Sequence, residues 1–119
     1  MSDQNKDLDR LDDISKFCAL ISEKTAGLTW EVFEQDELGK WAFVKCLENI
    51  GEAAYCLSDK TIEEFDEVDW RTIINARHMY VHHYFNLSWQ RVWKTLTETD
   101  FISLRKTVDK IIRELKARL

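Results

Sequence analysis

The 119-residue chain has no proline and only three glycines, at positions 27, 39 and 51. These two residues are the strongest breakers of regular backbone, so their scarcity favours helices joined by short connections. No apolar run reaches the ~18 residues that a spanning helix needs, and no membrane association is expected. The opening segment, MSDQNKDLDR, is too polar for a secretion signal, so a cytoplasmic protein is expected. Internal repeats, low-complexity stretches and linkers are missing as well. A single domain over residues 1–119 is therefore expected, with residues 1–6 as a flexible terminus. Cysteine is scarce and odd in number. Cys18, Cys46 and Cys56 fall within apolar helical patterns and read as buried free thiols rather than as a redox pair or metal set. There is also no dense run of lysine and arginine that would by itself suggest nucleic acid.

What is present is an ordinary soluble composition, 45% hydrophobic and 33% charged. A chain of this length buries roughly 65% of its unfolded surface, enough for a core without disulfide or metal staples. The net charge of −5 hides an asymmetry: residues 1–69 carry 18 acidic and 7 basic side chains, residues 70–119 carry 4 and 10. The C-terminal part, at +6 by this count, can meet a polyanion despite the acidic total.

Leu8, Leu11, Ile14, Cys18 and Ile21 recur at three- and four-residue steps, which predicts an amphipathic helix ending near Gly27. Thr29 is a cap candidate for a short turn bearing Trp30 and Phe33. A long helix from about Asp36 to Leu57 follows, apolar on much of its circumference (Leu38, Trp41, Ala42, Leu47, Ile50, Ala54, Leu57) and so expected at the centre. In TIEEF, Thr61 reads as a cap with Glu64 three residues on. Asp69 is placed to cap a helix from Trp70 to about Phe85. Asn86 or Ser88 is placed to cap a short one through Leu96. Asp100 precedes a last helix with a buried stripe of Ile102, Leu104, Val108, Ile111 and Leu115. The fold class is all-α, an up-and-down bundle of four main helices plus short ones.

The stretch RHMYVHHYF, residues 77–85, holds all three histidines. On a helix, His78 and His82 form one stripe, while Arg77, Val81 and Tyr84 lie together about 100–140° away and His83 points elsewhere. The histidine pair invites a metal reading, but the zinc-protease pattern needs glutamate after the first histidine and Met79 stands there, with no third ligand evident. A second reading makes the cluster a solvated face, with Tyr80, Val81 and Tyr84 packed inward. A third notes that arginine offers fixed donors to a phosphate and histidine moves protons near neutral pH. Together they suffice for RNA cleavage by its own 2′-hydroxyl without metal. The angular offset between Arg77 and His82 is easier to accommodate if two such helices face each other across a dimer seam. Trp70, Trp89 and Trp93 read as packing anchors rather than base-stacking platforms.

RHMYVHHY resembles the Arg-x4-His-x-Tyr motif of the HepT-like (DUF86) branch of the HEPN superfamily. DLDRLDDI, LENIGEAAYCLSD, VDWRTIINAR and HYFNLSWQRVWKTL resemble the same branch in the same order, over roughly residues 7–115. The resemblance implies a small helical, HEPN-like homodimer with its active cleft near the dimer interface, acting as the ribonuclease toxin of a toxin–antitoxin pair. It implies Arg77 and His82 as the catalytic pair on an RNA substrate, with no metal or cofactor. The implied partner is a minimal nucleotidyltransferase antitoxin that transfers AMP to Tyr84, the motif tyrosine. Glu52 aligns with an acid that orients or charge-balances the arginine. His78, a supporting residue in this reading, stands where the family often has asparagine: it can hydrogen-bond similarly, add a second proton donor, or mark a degraded site. The competing reading is a non-catalytic helical module that binds a nucleotidyltransferase partner or a nucleotide.

Overall fold

The computed structural model describes residues 3–82 and 86–119, which form seven helices and, among the described residues, no strand. In chain order these are α1 (Asp3–Thr25), α2 (Trp30–Gln35), α3 (Glu37–Tyr55), α4 (Asp59–Glu64), α5 (Trp70–His82), α6 (Trp89–Glu98) and α7 (Phe101–Lys116). The four main helices are α1, α3, α5 and α7. The expected extension of α5 to Phe85, with His83 and Tyr84, lies outside the described residues.

Five of the seven starts have a local cause. The side chains of Thr29, Asp36, Asp69, Ser88 and Asp100 accept hydrogen bonds from the backbone N–H groups of Val32, Gly39, Thr72, Arg91 and Ser103, at 2.9–3.3 Å. Such bonds satisfy donors that a helix cannot pair internally. α1 stops at Thr25, and Gly27 turns the chain at φ +73°, a conformation that side chains with a Cβ rarely adopt. α4 departs from expectation. Ser58, not Thr61, is its cap, and the Thr61 hydroxyl instead donates to the buried carboxylate of Asp7 at 2.6 Å.

α1 packs between α7 and α3, and α5 packs on the far side of α3. Neighbours run antiparallel: Gln4 Nε2 donates to Leu115 O at 2.8 Å, and Ser15 Oγ to Asp109 Oδ1 at 2.5 Å, one helix rising as the other descends. Leu11, Ile14, Cys18 and Ile21 are fully buried, and burial pushes the Cys18 thiol up to about 12. Phe33 anchors an aromatic cluster with Trp30, Phe43, Trp89 and Trp93, at ring separations of 5.1–6.3 Å. Trp70 is buried, its Nε1 donating to Phe65 O at 2.9 Å. All three tryptophans singled out in the sequence therefore pack, as expected.

Three expectations need correction. Cys56 is exposed, because at the C-terminal end of α3 its side chain turns to Glu52 on the open face of the helix rather than into the core. Leu38 is 82% exposed and Trp41 partly so, since α3 is covered by α1 on one side and α5 on another but its first turns keep an open face. Ile102 is exposed while Phe101 takes the buried position, one residue rotating the stripe by about 100°. Residues 3–6 belong to α1, with Gln4 bonded to α7. No helix among the described residues is long and apolar enough to cross a membrane.

Candidate active site

The site begins at a crossing without a side chain. A Cβ added to Gly51 would meet Arg77 Cβ at 2.4 Å and Arg77 Cα at 3.0 Å. The bare glycine lets the α5 backbone lie close on α3, and this sets Arg77 beside the last turn of α3. There Glu52, Tyr55 and Cys56, three and four residues apart, share one face. Arg77 Nε donates to Glu52 Oε2, and the guanidinium carbon lies 4.5 Å from the centre of the Tyr55 ring. Cys56 Sγ donates to the other Glu52 oxygen at 3.7 Å. The Glu52 hydrogen bond pushes the Arg77 pKa further up, so the cation is permanent.

Among the described residues the Arg77 Nη groups have no hydrogen-bond partner. The guanidinium is thus held on one edge by a carboxylate and on one face by an aromatic ring, with its paired outer donors left over. That is the geometry with which arginine grips phosphate bidentately. Glu52 was singled out in the sequence and meets Arg77 here. Tyr55 was missed, although its i+3 spacing from Glu52 was the available signal.

His78 and His82 form a second group, their ring centroids 4.5 Å apart and their planes tilted by 54°. Both are exposed, on the solvent side of α5. His82 lies five positions after Arg77, about 7.5 Å of rise and 140° of rotation. The structure therefore brings Arg77 to Glu52, and His82 to His78, on different sides of the same helix. Among the described residues no three His, Cys, Asp or Glu side chains converge as a metal set. Beside the site, Trp41, Val44, Lys45, Glu48, Tyr80 and Val81 line an open groove of about 290 Å³ between α3 and α5. Tyr80 is buried beneath it, and burial raises its phenol pKa. Its hydroxyl makes no well-formed hydrogen bond among the described residues, although the Thr95 hydroxyl lies near enough to oppose that rise.

Several positive charges of the C-terminal part are engaged in ion pairs, Arg118 with Glu64 and Glu114, Lys110 with Glu67, and Arg105 with Asp109.

An antiparallel helical bundle with an acid-backed arginine and a histidine pair on one helix defines a small HEPN-like protein. The family described as Ribonuclease HepT-like matches residues 14–111, and the chain belongs to it. A protein of Caldanaerobacter subterraneus subsp. tengcongensis named "Putative RNase TTE0752" is 31% identical over 106 residues, spanning 89% of this chain and 94% of its own. "Probable ribonuclease HepT" of Thermococcus cleftensis is 32% identical over 103 residues, 87% of this chain and 93% of its own. "Putative RNase MJ1216" of Methanocaldococcus jannaschii is 27% identical over 111 residues, 93% and 85% respectively. No solved structure matches the chain significantly.

Proposed function

We propose that the protein is a metal-independent endoribonuclease, the toxin of a toxin–antitoxin pair, working as a cytoplasmic homodimer. Family membership and relatives named as ribonucleases support ribonuclease activity. The observation that carries the mechanism is the Arg77 guanidinium, backed by Glu52 and Tyr55 with its outer donors unused among the described residues.

In this reading Arg77 grips the non-bridging oxygens of the scissile phosphate and stabilises the charge that builds there. The adjacent 2′-hydroxyl attacks phosphorus and loses its proton to His82. The bond from phosphorus to the 5′ oxygen breaks, and that oxygen takes up a proton. The products are a 2′,3′-cyclic phosphate and a 5′-hydroxyl. Two proton transfers are needed, and His78, whose ring lies 4.5 Å from that of His82, would supply the second. Tyr84, outside the described residues, is the proposed AMP acceptor. Its phenolate would attack the α-phosphorus of ATP on the nucleotidyltransferase partner and release pyrophosphate. The anionic adduct would then block the cleft by occupancy and like-charge repulsion.

Purified protein should cut RNA in excess EDTA, and Arg77→Ala or His82→Ala should lower the rate by about 10²–10⁴-fold. Cleavage that survives both substitutions sinks the site assignment. Absence of cleavage by the unmodified protein, with a stable complex to the nucleotidyltransferase, would assign a non-catalytic binding module instead. After incubation with ATP and that partner, mass spectrometry should find an AMP adduct that Tyr84→Phe abolishes. An adduct on another residue refutes Tyr84.

A further inference from the structure

Tyr55 is the most exposed aromatic among the described residues, 58% open at the last position of α3. So open a ring adds little to the core. One face lies against the Arg77 guanidinium at 4.5 Å, and no other ring or cation packs on it among the described residues. The arginine beneath it has its Nε on Glu52 and, among the described residues, its outer donors unpaired. An anion-gripping fork and an open aromatic face therefore lie on the two sides of one ring, fixed to each other by their own stacking.

We infer that Tyr55 and Arg77 form a subsite for one unpaired nucleotide of single-stranded RNA, the phosphate on the Arg77 Nη groups and the base on the open face of Tyr55. The inference rests on reading the protein as an RNA-cleaving enzyme. Aromatic rings hold bases by stacking regardless of sequence, because every base has a π-face. A base inside a duplex already has stacking partners on both sides, so this shelf selects for unpaired strands. Tyr55 has a second consequence as a positioning residue. With Glu52 fixing one edge, the ring fixes the guanidinium plane, so the fork meets its phosphate without reorganising.

The test uses a fluorescent 2′-O-methyl oligonucleotide, which binds but cannot be cut, read by anisotropy. Tyr55→Phe keeps the ring and should bind as the unmodified protein does. Tyr55→Leu, at an exposed position and with good helix propensity, should bind about tenfold more weakly, within the range for loss of one base–aromatic stack. Moving an abasic residue along the strand should find one position where the unmodified protein loses the same factor and Tyr55→Leu loses nothing more. Arg77→Ala should flatten the dependence of log affinity on log salt by about 0.7, the share of one phosphate on a single strand, while Tyr55→Leu leaves the slope unchanged. Losses that multiply at every abasic position, a Phe variant as weak as Leu, or duplex binding as tight as single strand would overturn the shelf. If Arg77→Ala weakens binding while Tyr55→Leu matches the unmodified protein, the RNA reading stands and the subsite falls. If the unmodified protein and Arg77→Ala bind RNA equally poorly, the RNA reading fails and the subsite with it.

Discussion

Gly51 shows how much one absent side chain decides. Alanine is better than glycine in a helix interior by about 1 kcal/mol, so an isolated α3 would gain from Gly51→Ala. In the folded protein the new methyl would lie 2.4 Å from Arg77 Cβ, and α5 would have to move. Overpacking of this kind costs about 1–3 kcal/mol. Gly51→Ala is expected to lower stability in urea titration and to shift Arg77 off Glu52, with a loss of RNA cleavage larger than the stability change explains. Unchanged stability and cleavage together would contradict the close approach. The ion pair between Arg77 and Glu52 could be anticipated from resemblance, since both residues sit in recognisable segments. Tyr55 could not, because exposure of a ring at the end of α3 is settled by what the neighbouring helices leave uncovered.

Among the elements, α4 depends most on a distant partner. The Asp7 carboxylate is 2% exposed and accepts from Ser58 N at 2.9 Å, from Ser58 Oγ at 2.6 Å and from Thr61 Oγ1 at 2.6 Å. One buried acid thus ties the first turns of α1 to the start of α4. Asp7→Ala would leave these donors without an acceptor, and hydrogen bonds to a charged group are worth about 1.5–3 kcal/mol each. A loss of about 3 kcal/mol in urea unfolding is expected, with α4 amides exchanging faster. A loss below about 1 kcal/mol would show that water replaces the carboxylate. This element was also the one whose start was misplaced in the sequence. Thr61 with Glu64 is as good a capping pattern as Ser58 with Thr61, and only the reach of Asp7 from α1 separates them. The other caps were legible because capping is decided within four residues.

The whole molecule is longer than a compact chain of its size, 46 × 29 × 23 Å with a radius of gyration of 14.8 Å, against about 13.5 Å expected. α5 packs substantially on α3 alone among the main helices, so Arg77 faces α3 while His82 faces solvent. A site that needs both is completed most simply by a second copy across a two-fold axis, Arg77 from one protomer and His82 from its partner. Arg77→Ala and His82→Ala, each inactive alone, should then recover about a quarter of normal activity when mixed and allowed to exchange: half the dimers are mixed, and each of those rebuilds one of two sites. No recovery, with exchange verified by light scattering and mass tags, would place both groups in one protomer's site.

The sequence by itself determined the helices, most of their ends, the inward stripe of α1, the packing role of three tryptophans and the family. All of these rest on short-range causes: spacing of apolar residues, caps within one turn, and the lack of breakers. Tertiary structure alone decided that Arg77 lies against Tyr55, that Gly51 must stay bare, that Asp7 sets the start of α4, and that Cys56 is open. These depend on the register at which antiparallel helices cross, and register is set by the fit of whole faces, which no local pattern specifies.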